Sequence, residues 1–218
     1  MNPMERLFDS AKTLPSIPRV LQELMESLNR DDVGVDEITK PLEQDPALAA
    51  RVLRLANTAH FGAPRKVASV DDAIVLVGLE AVRLLVISSG LMGSFKAIPG
   101  FDMQRFWRVS LLSSYIARDL AGKCKLDRET VYTAALMHGI GVLAIHSVFP
   151  EAALHIDQRC KDHNPSERVS FEMQHLGLNH AEVGAELAKT WKLPEAISDT
   201  LRFYASPLHA AAPGSAAL

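Results

Sequence analysis

The stretch Ala134-Ala135-Leu136-Met137-His138-Gly139-Ile140-Gly141 decides the fold. It lies inside Thr130 to Pro150, a run of 21 residues without a formal charge that is long enough to span a bilayer. Two histidines, two glycines, Tyr132, two threonines and Ser147 interrupt that run, and polar groups at this density are costly in hydrocarbon. The stretch therefore reads as a helix buried on all sides in a folded core. Each glycine costs a helix about 1 kcal/mol relative to alanine, so the pair predicts a kink or a close helix approach. A phosphate-loop reading fails, because no strand precedes the glycines and no Walker-type lysine follows.

Outward from this core the signals stay helical, and no segment alternates apolar and polar residues long enough to predict a strand. Pro18 opens a helix with an apolar stripe of Val20, Leu21, Leu24, Met25 and Leu28. Val35 to Leu42 reads as a short helix. Asp45-Pro46 supplies an N-cap and a first-turn proline for a helix that runs toward Phe61-Gly62. Ser69 caps Asp71 to Val77, and Gly78 separates that helix from Leu79 to Leu91. Further helices are predicted over 102–121, 127–148, 151–162, 166–176, 180–191 and 195–204. Ala97-Ile98-Pro99-Gly100 is the predicted lobe boundary. The expected organisation is an all-α chain with an N-terminal helical lobe at 1–97, a C-terminal helical lobe at 98–207 and a frayed tail at 208–218.

Composition narrows the function. A chain of 218 residues with 48% hydrophobic and 22% charged residues is ordinary for a globular protein. Its net charge of −3 carries no basic excess, so nucleic acid is not the expected partner. Cys124 and Cys160 sit in no CxxC or Cys/His cluster and read as free thiols in a reducing cytosol. The N-terminus lacks the charged and apolar pattern of a secretory signal, which predicts a cytoplasmic protein away from membranes.

Several ordered stretches carry a more specific likeness. They are Leu14-Pro15-Ser16-Ile17-Pro18, Gln44-Asp45-Pro46-Ala47-Leu48, Arg51-Val52-Leu53-Arg54-Leu55-Ala56-Asn57 and Ala73 to Leu79. Phe106-Trp107-Arg108, Ala134 to Gly141 and Asn179 to Gly184 continue the series. Together, over residues 14–207, they resemble the HDOD family of bacterial signalling domains. The resemblance implies an N-terminal helical lobe packed on an HD-like bundle, the latter related to metal-dependent phosphohydrolases.

In that frame a His-Asp pair supplies an imidazole and a carboxylate that can bridge metal ions, and here Gly139 replaces the aspartate. Val109 stands where the related pattern often carries histidine. The family stretch Arg-Tyr-His-His-Asp-Pro is here Arg202-Phe203-Tyr204-Ala205-Ser206-Pro207. His138 and His180 alone keep matching positions, and two imidazoles do not complete a three-ligand site. Val109, His138, Gly139 and His180 are thus expected to mark a vestigial pocket holding neither metal nor cofactor, with the histidines in core or inter-helix hydrogen bonds. Replacing Val109→His and Gly139→Asp together is expected to raise metal affinity. His146, His155, His163 and His175 are expected on exposed helices or loops.

Arg51, Arg54, Asn57, Arg65 and Lys66 form the candidate interaction surface. Solvation and local capping by Glu43, Asp45 or Asp71 explain the same residues without a ligand. The expected function is a non-catalytic signalling module that binds a protein partner or small ligand. A metal-dependent phosphohydrolase or cyclic-dinucleotide phosphodiesterase is the first alternative. A nucleic-acid-binding regulator is the second.

Overall fold

The computed structural model describes residues 2–9, 16–26, 34–58, 66–160 and 165–208. Every regular element among them is a helix, as predicted. The chain divides into two compact units, one comprising Ile17–Ser94 and the other Met1–Ser16 with Phe95–Leu218.

The 17–94 unit contains α2 (Arg19–Glu26), α3 (Val35–Glu43), α4 (Pro46–Ala56), α5 (Val70–Val77) and α6 (Leu79–Ser94). Leu24, Ile38, Leu42, Val52, Ile74 and Val86 share its core, each removing apolar surface from water. The start of α4 follows from sequence: Asp45 Oδ1 accepts from the amides of Ala47 and Leu48, and Pro46 needs no amide partner. Ser69 Oγ caps α5 by accepting from Asp72 N. Gly78 then adopts φ +96°, which lets α6 depart from α5 at 115°. Helix α4 stops at Ala56, short of the predicted end near Phe61-Gly62; residues 59–65 lie outside the described set. Asn57 explains the early stop. Its side chain donates to Leu53 O and Val67 O and accepts from Val67 N, folding the chain back on the helix end.

The other unit contains α1 (Pro3–Asp9), α7 (Met103–Cys124), α8 (Arg128–Met137), α9 (Ile140–Val148), α10 (Pro150–Arg159), α11 (Pro165–Leu176), α12 (His180–Thr190) and α13 (Glu195–Phe203). Helix α7 packs on α8, while α12 packs on both α9 and α13. Asp102, Asp127 and Asn179 cap α7, α8 and α12 through their side-chain oxygens. The structure differs from the predicted boundaries at both ends. The division falls at Ser94/Phe95, and α1, which the sequence did not announce, belongs with the later residues. Leu7 is fully buried there as α1 packs on α9. The predicted frayed tail lies outside the described residues beyond Leu208.

The uncharged stretch is mostly buried inside this unit, although by length and composition Arg128–Val148 would cross a membrane. It breaks into α8 and α9 at His138-Gly139, where the sequence predicted a kink. Gly141 accounts for the second glycine. A Cβ there would stand 1.9 Å from His180 O and 2.9 Å from Gly184 N, so α9 and α12 cross with backbone against backbone.

Candidate functional site

The close crossing of α9 and α12 fixes the first residue of α12, His180, in the core. Asn179 Oδ1 accepts from Glu182 N, leaving the His180 amide to seek another acceptor. It finds Glu172 Oε2 from α11 at 2.7 Å. The same carboxylate oxygen accepts from His180 Nδ1 at 2.5 Å, which assigns the proton to Nδ1 because a carboxylate only accepts. The other ring nitrogen, Nε2, pairs with the Tyr204 hydroxyl at 2.6 Å. Both ring nitrogens of His180 are thus engaged within the protein.

The polar chain continues away from His180. Arg168 Nε donates to Glu172 Oε1 at 2.7 Å, and Arg168 Nη1 reaches Asp157 Oδ1 at 2.8 Å. His146 Nε2 lies 3.0 Å from Asp157 Oδ2, and its ring is tilted by 55° against that of Phe101, with centroids 4.5 Å apart. His146 is buried, contrary to the surface role expected of it, because α9 is enclosed on nearly every side. His155 and His175 are exposed as expected, and His163 lies outside the described residues.

Burial pushes the Glu172 carboxyl up, yet the His180 hydrogen bond and charge, with Arg168, hold it below its ordinary value. Asp157 behaves alike: burial raises it, and His146 and Arg168 together bring it lower. Burial lowers His138, assisted by His180 and opposed by its bond to Ala135. Tyr204 is raised, first by burial and then by the Glu172 charge, so its hydroxyl stays protonated and able to donate.

His138 Nδ1 donates to Ala135 O at 2.7 Å, and its ring lies edge-on to Tyr204, which is also edge-on to His180. Tyr204 therefore joins the two histidines that the sequence singled out. It stands where the related pattern carries its first histidine. Gly139 is closed off by a different group: a Cβ there would meet Phe106 Cε2 at 2.7 Å and Cζ at 3.1 Å. Val109, 48% exposed, lies on α7 on the same helical face as Leu112, Ile116 and Leu120. This donor set does not fit a divalent metal. His180 has no lone pair to spare beside Tyr204, Glu172 is fully committed to His180 and Arg168, and position 139 offers an aromatic ring in place of an oxygen.

A family model for the HDOD domain matches residues 14–207. The chain belongs to the HDOD family. An HDOD domain protein of Geobacter sulfurreducens superposes with a TM-score of 0.76 at 27% identity, over 95% of this chain and 71% of that one. A candidate phosphohydrolase from Shewanella amazonensis SB2B gives 0.77 at 33% identity, over 94% of this chain and 73% of that one. An uncharacterized protein of Treponema pallidum (strain Nichols) is 29% identical over 93% of this chain, which spans only 39% of that relative's length.

The HDOD segment Arg51–Asn57 divides into residues with different work. Arg51 Nη1 donates to Ser89 O at 2.7 Å, tying α4 to α6. Arg54 is exposed, and with Arg51, Leu55, Thr58, Leu85 and Met92 it lines a groove of about 550 Å³. Asn57 spends its amide on the fold-back described above. Lys66 is exposed, and Arg65 lies outside the described residues. The sequence reading missed Glu172, Arg168, Asp157 and Tyr204. The Arg168/Glu172 spacing was visible as an i, i+4 ion pair, but such pairs usually mark a solvated helix face.

Proposed function

We propose that this HDOD protein is a non-catalytic module of signal transduction that acts by binding. The observation that carries the reading is the engagement of His180 on both nitrogens, by Glu172 and Tyr204. A metallohydrolase requires imidazole and carboxylate lone pairs aimed at an open position where water can be activated. Here those lone pairs are turned toward a tyrosine hydroxyl, an amide and an arginine. No group of three or more His, Cys, Asp or Glu side chains arranged to hold a metal occurs among the described residues. The groove beside Arg54 supports a binding role, since it combines two guanidinium groups with Leu55, Leu85 and Met92.

The test is metal analysis and turnover on one preparation. Protein purified after growth with added Mn or Fe should hold no stoichiometric metal and should leave cyclic dinucleotides and simple phosphoesters intact. One or two tightly held ions per chain with hydrolysis of either substrate would restore the phosphohydrolase alternative. Arg54→Glu should weaken partner or ligand capture with the fold intact.

A further inference from the structure

We infer that this chain forms a two-fold homodimer through the outer face of α7. Among the described residues, five of the ten exposed large apolar side chains lie on this helix: Val109, Leu112, Tyr115, Ile116 and Leu120. Each is between 48% and 62% exposed. Val109, Leu112, Ile116 and Leu120 recur at intervals of three and four residues, so they form one stripe, with Tyr115 at its margin. Scattered single exposures need no partner, but this stripe presents several hundred Å² of contiguous apolar surface, at the size that marks an interaction site.

The stripe is self-complementary, which selects a second copy of the chain as the occupant. A two-fold axis near Ser113 and Ser114 runs the two helices antiparallel and sets residue i against residue j and j against i. Val109 then meets the other copy's Leu120, and Leu112 meets its Ile116. On the flank, Arg108 faces Asp119 of the other copy. Both are exposed and lie on the same side of the stripe by helical angle, as an antiparallel pair requires. Small Ser113 at the centre permits close approach, and Arg105 and Lys123 fall at the ends, where crossing helices diverge. Two such faces together remove about 1,000 Å² from water, at the lower limit of a specific interface. The dimer is therefore a reversible one. This inference is independent of the binding-module reading, since it uses none of the groups around His180 or Arg54.

Sedimentation velocity on the full chain over a wide concentration range tests it. A concentration-dependent dimer is expected, and Leu112→Asp with Ile116→Asp should raise its dissociation constant at least tenfold while leaving circular dichroism unchanged. Arg108→Asp and Asp119→Arg should each weaken association, and the two together should restore it. In a Cys124→Ser background, Ser113→Cys should form a disulfide-linked dimer under mild oxidation. A monomer at every concentration would overturn the inference. So would a dimer indifferent to the α7 substitutions, or a charge-swapped double variant as weak as its single parents.

Discussion

Tyr204 gives His180 its second partner, and removing one hydroxyl isolates what that contact contributes. Tyr204→Phe leaves a buried imidazole nitrogen unsatisfied while keeping the ring contacts with His138 and His180, so a loss of about 1–3 kcal/mol is expected in urea unfolding. Glu172→Gln should cost at least as much, because a neutral amide replaces the fully buried carboxylate that pairs with His180 and with the partly buried Arg168, which keeps only Asp157. Gly139→Asp, imagined from sequence as half of a restored ligand set, meets Phe106 before it meets any metal. It should lower stability, and adding Phe106→Ala should recover part of the loss. The two surface arginines part company as well. Sequence treats them alike, yet Arg51→Glu should lower the thermal midpoint through its lost Ser89 bond, whereas Arg54→Glu should leave it nearly unchanged.

At the scale of helices, the two glycines where α9 crosses α12 make opposite predictions. A methyl at Gly141 would overlap the His180 carbonyl and the Gly184 amide, which are backbone atoms with nowhere to move. Gly141→Ala should therefore cost at least about 3 kcal/mol, or prevent folding. A methyl at Gly184 meets its nearest neighbours at 3.7–3.9 Å, an ordinary contact, and removes a flexible residue from a helix. Gly184→Ala should be neutral or stabilising by up to about 1 kcal/mol. The helices themselves were legible because caps and apolar spacing act locally: Asp45-Pro46, Ser69, Asp102 and Asn179 all cap as their residue types predict. The polar chain was not legible. Glu172 and His180 come from different helices, and the turn between Leu176 and His180 brings them within bonding distance. Helix α1 escaped notice because seven residues with one buried leucine carry too little periodicity to stand out.

For the whole molecule, the buried network ties stability to pH. His138 has a folded value below its ordinary 6.5, so as pH falls through 6.5 the unfolded chain takes up protons that the folded one refuses, and stability declines. Glu172 and Asp157 are also depressed in the folded state. Their stabilisation is complete above their ordinary values of 4.5 and 3.8 and is lost as pH falls through the lower folded values. All three act in the same direction. Urea midpoints should fall from neutral pH downward, in a first step near pH 6 and a steeper one in the carboxylate range. Glu172→Gln should flatten the second step. An acid limb identical in this variant and the native protein would show that another carboxylate governs it.

The grouping of α1 with residues beyond Phe95 also bears on how the chain matures on the ribosome. Synthesis proceeds from the N-terminus, and domains tend to fold as they emerge. Ile17–Ser94 can leave the exit tunnel whole and close its own core while its successor is still being translated. The α1 segment, made before that unit, cannot follow that order. Leu7 must wait for α9, more than a hundred residues later, before it has a surface to cover. Pulse proteolysis of stalled nascent chains should find the 17–94 core protected early and the α1 segment cleavable until residues past Val148 have emerged. Helix α1 is thus translated before the 17–94 unit and docked after it.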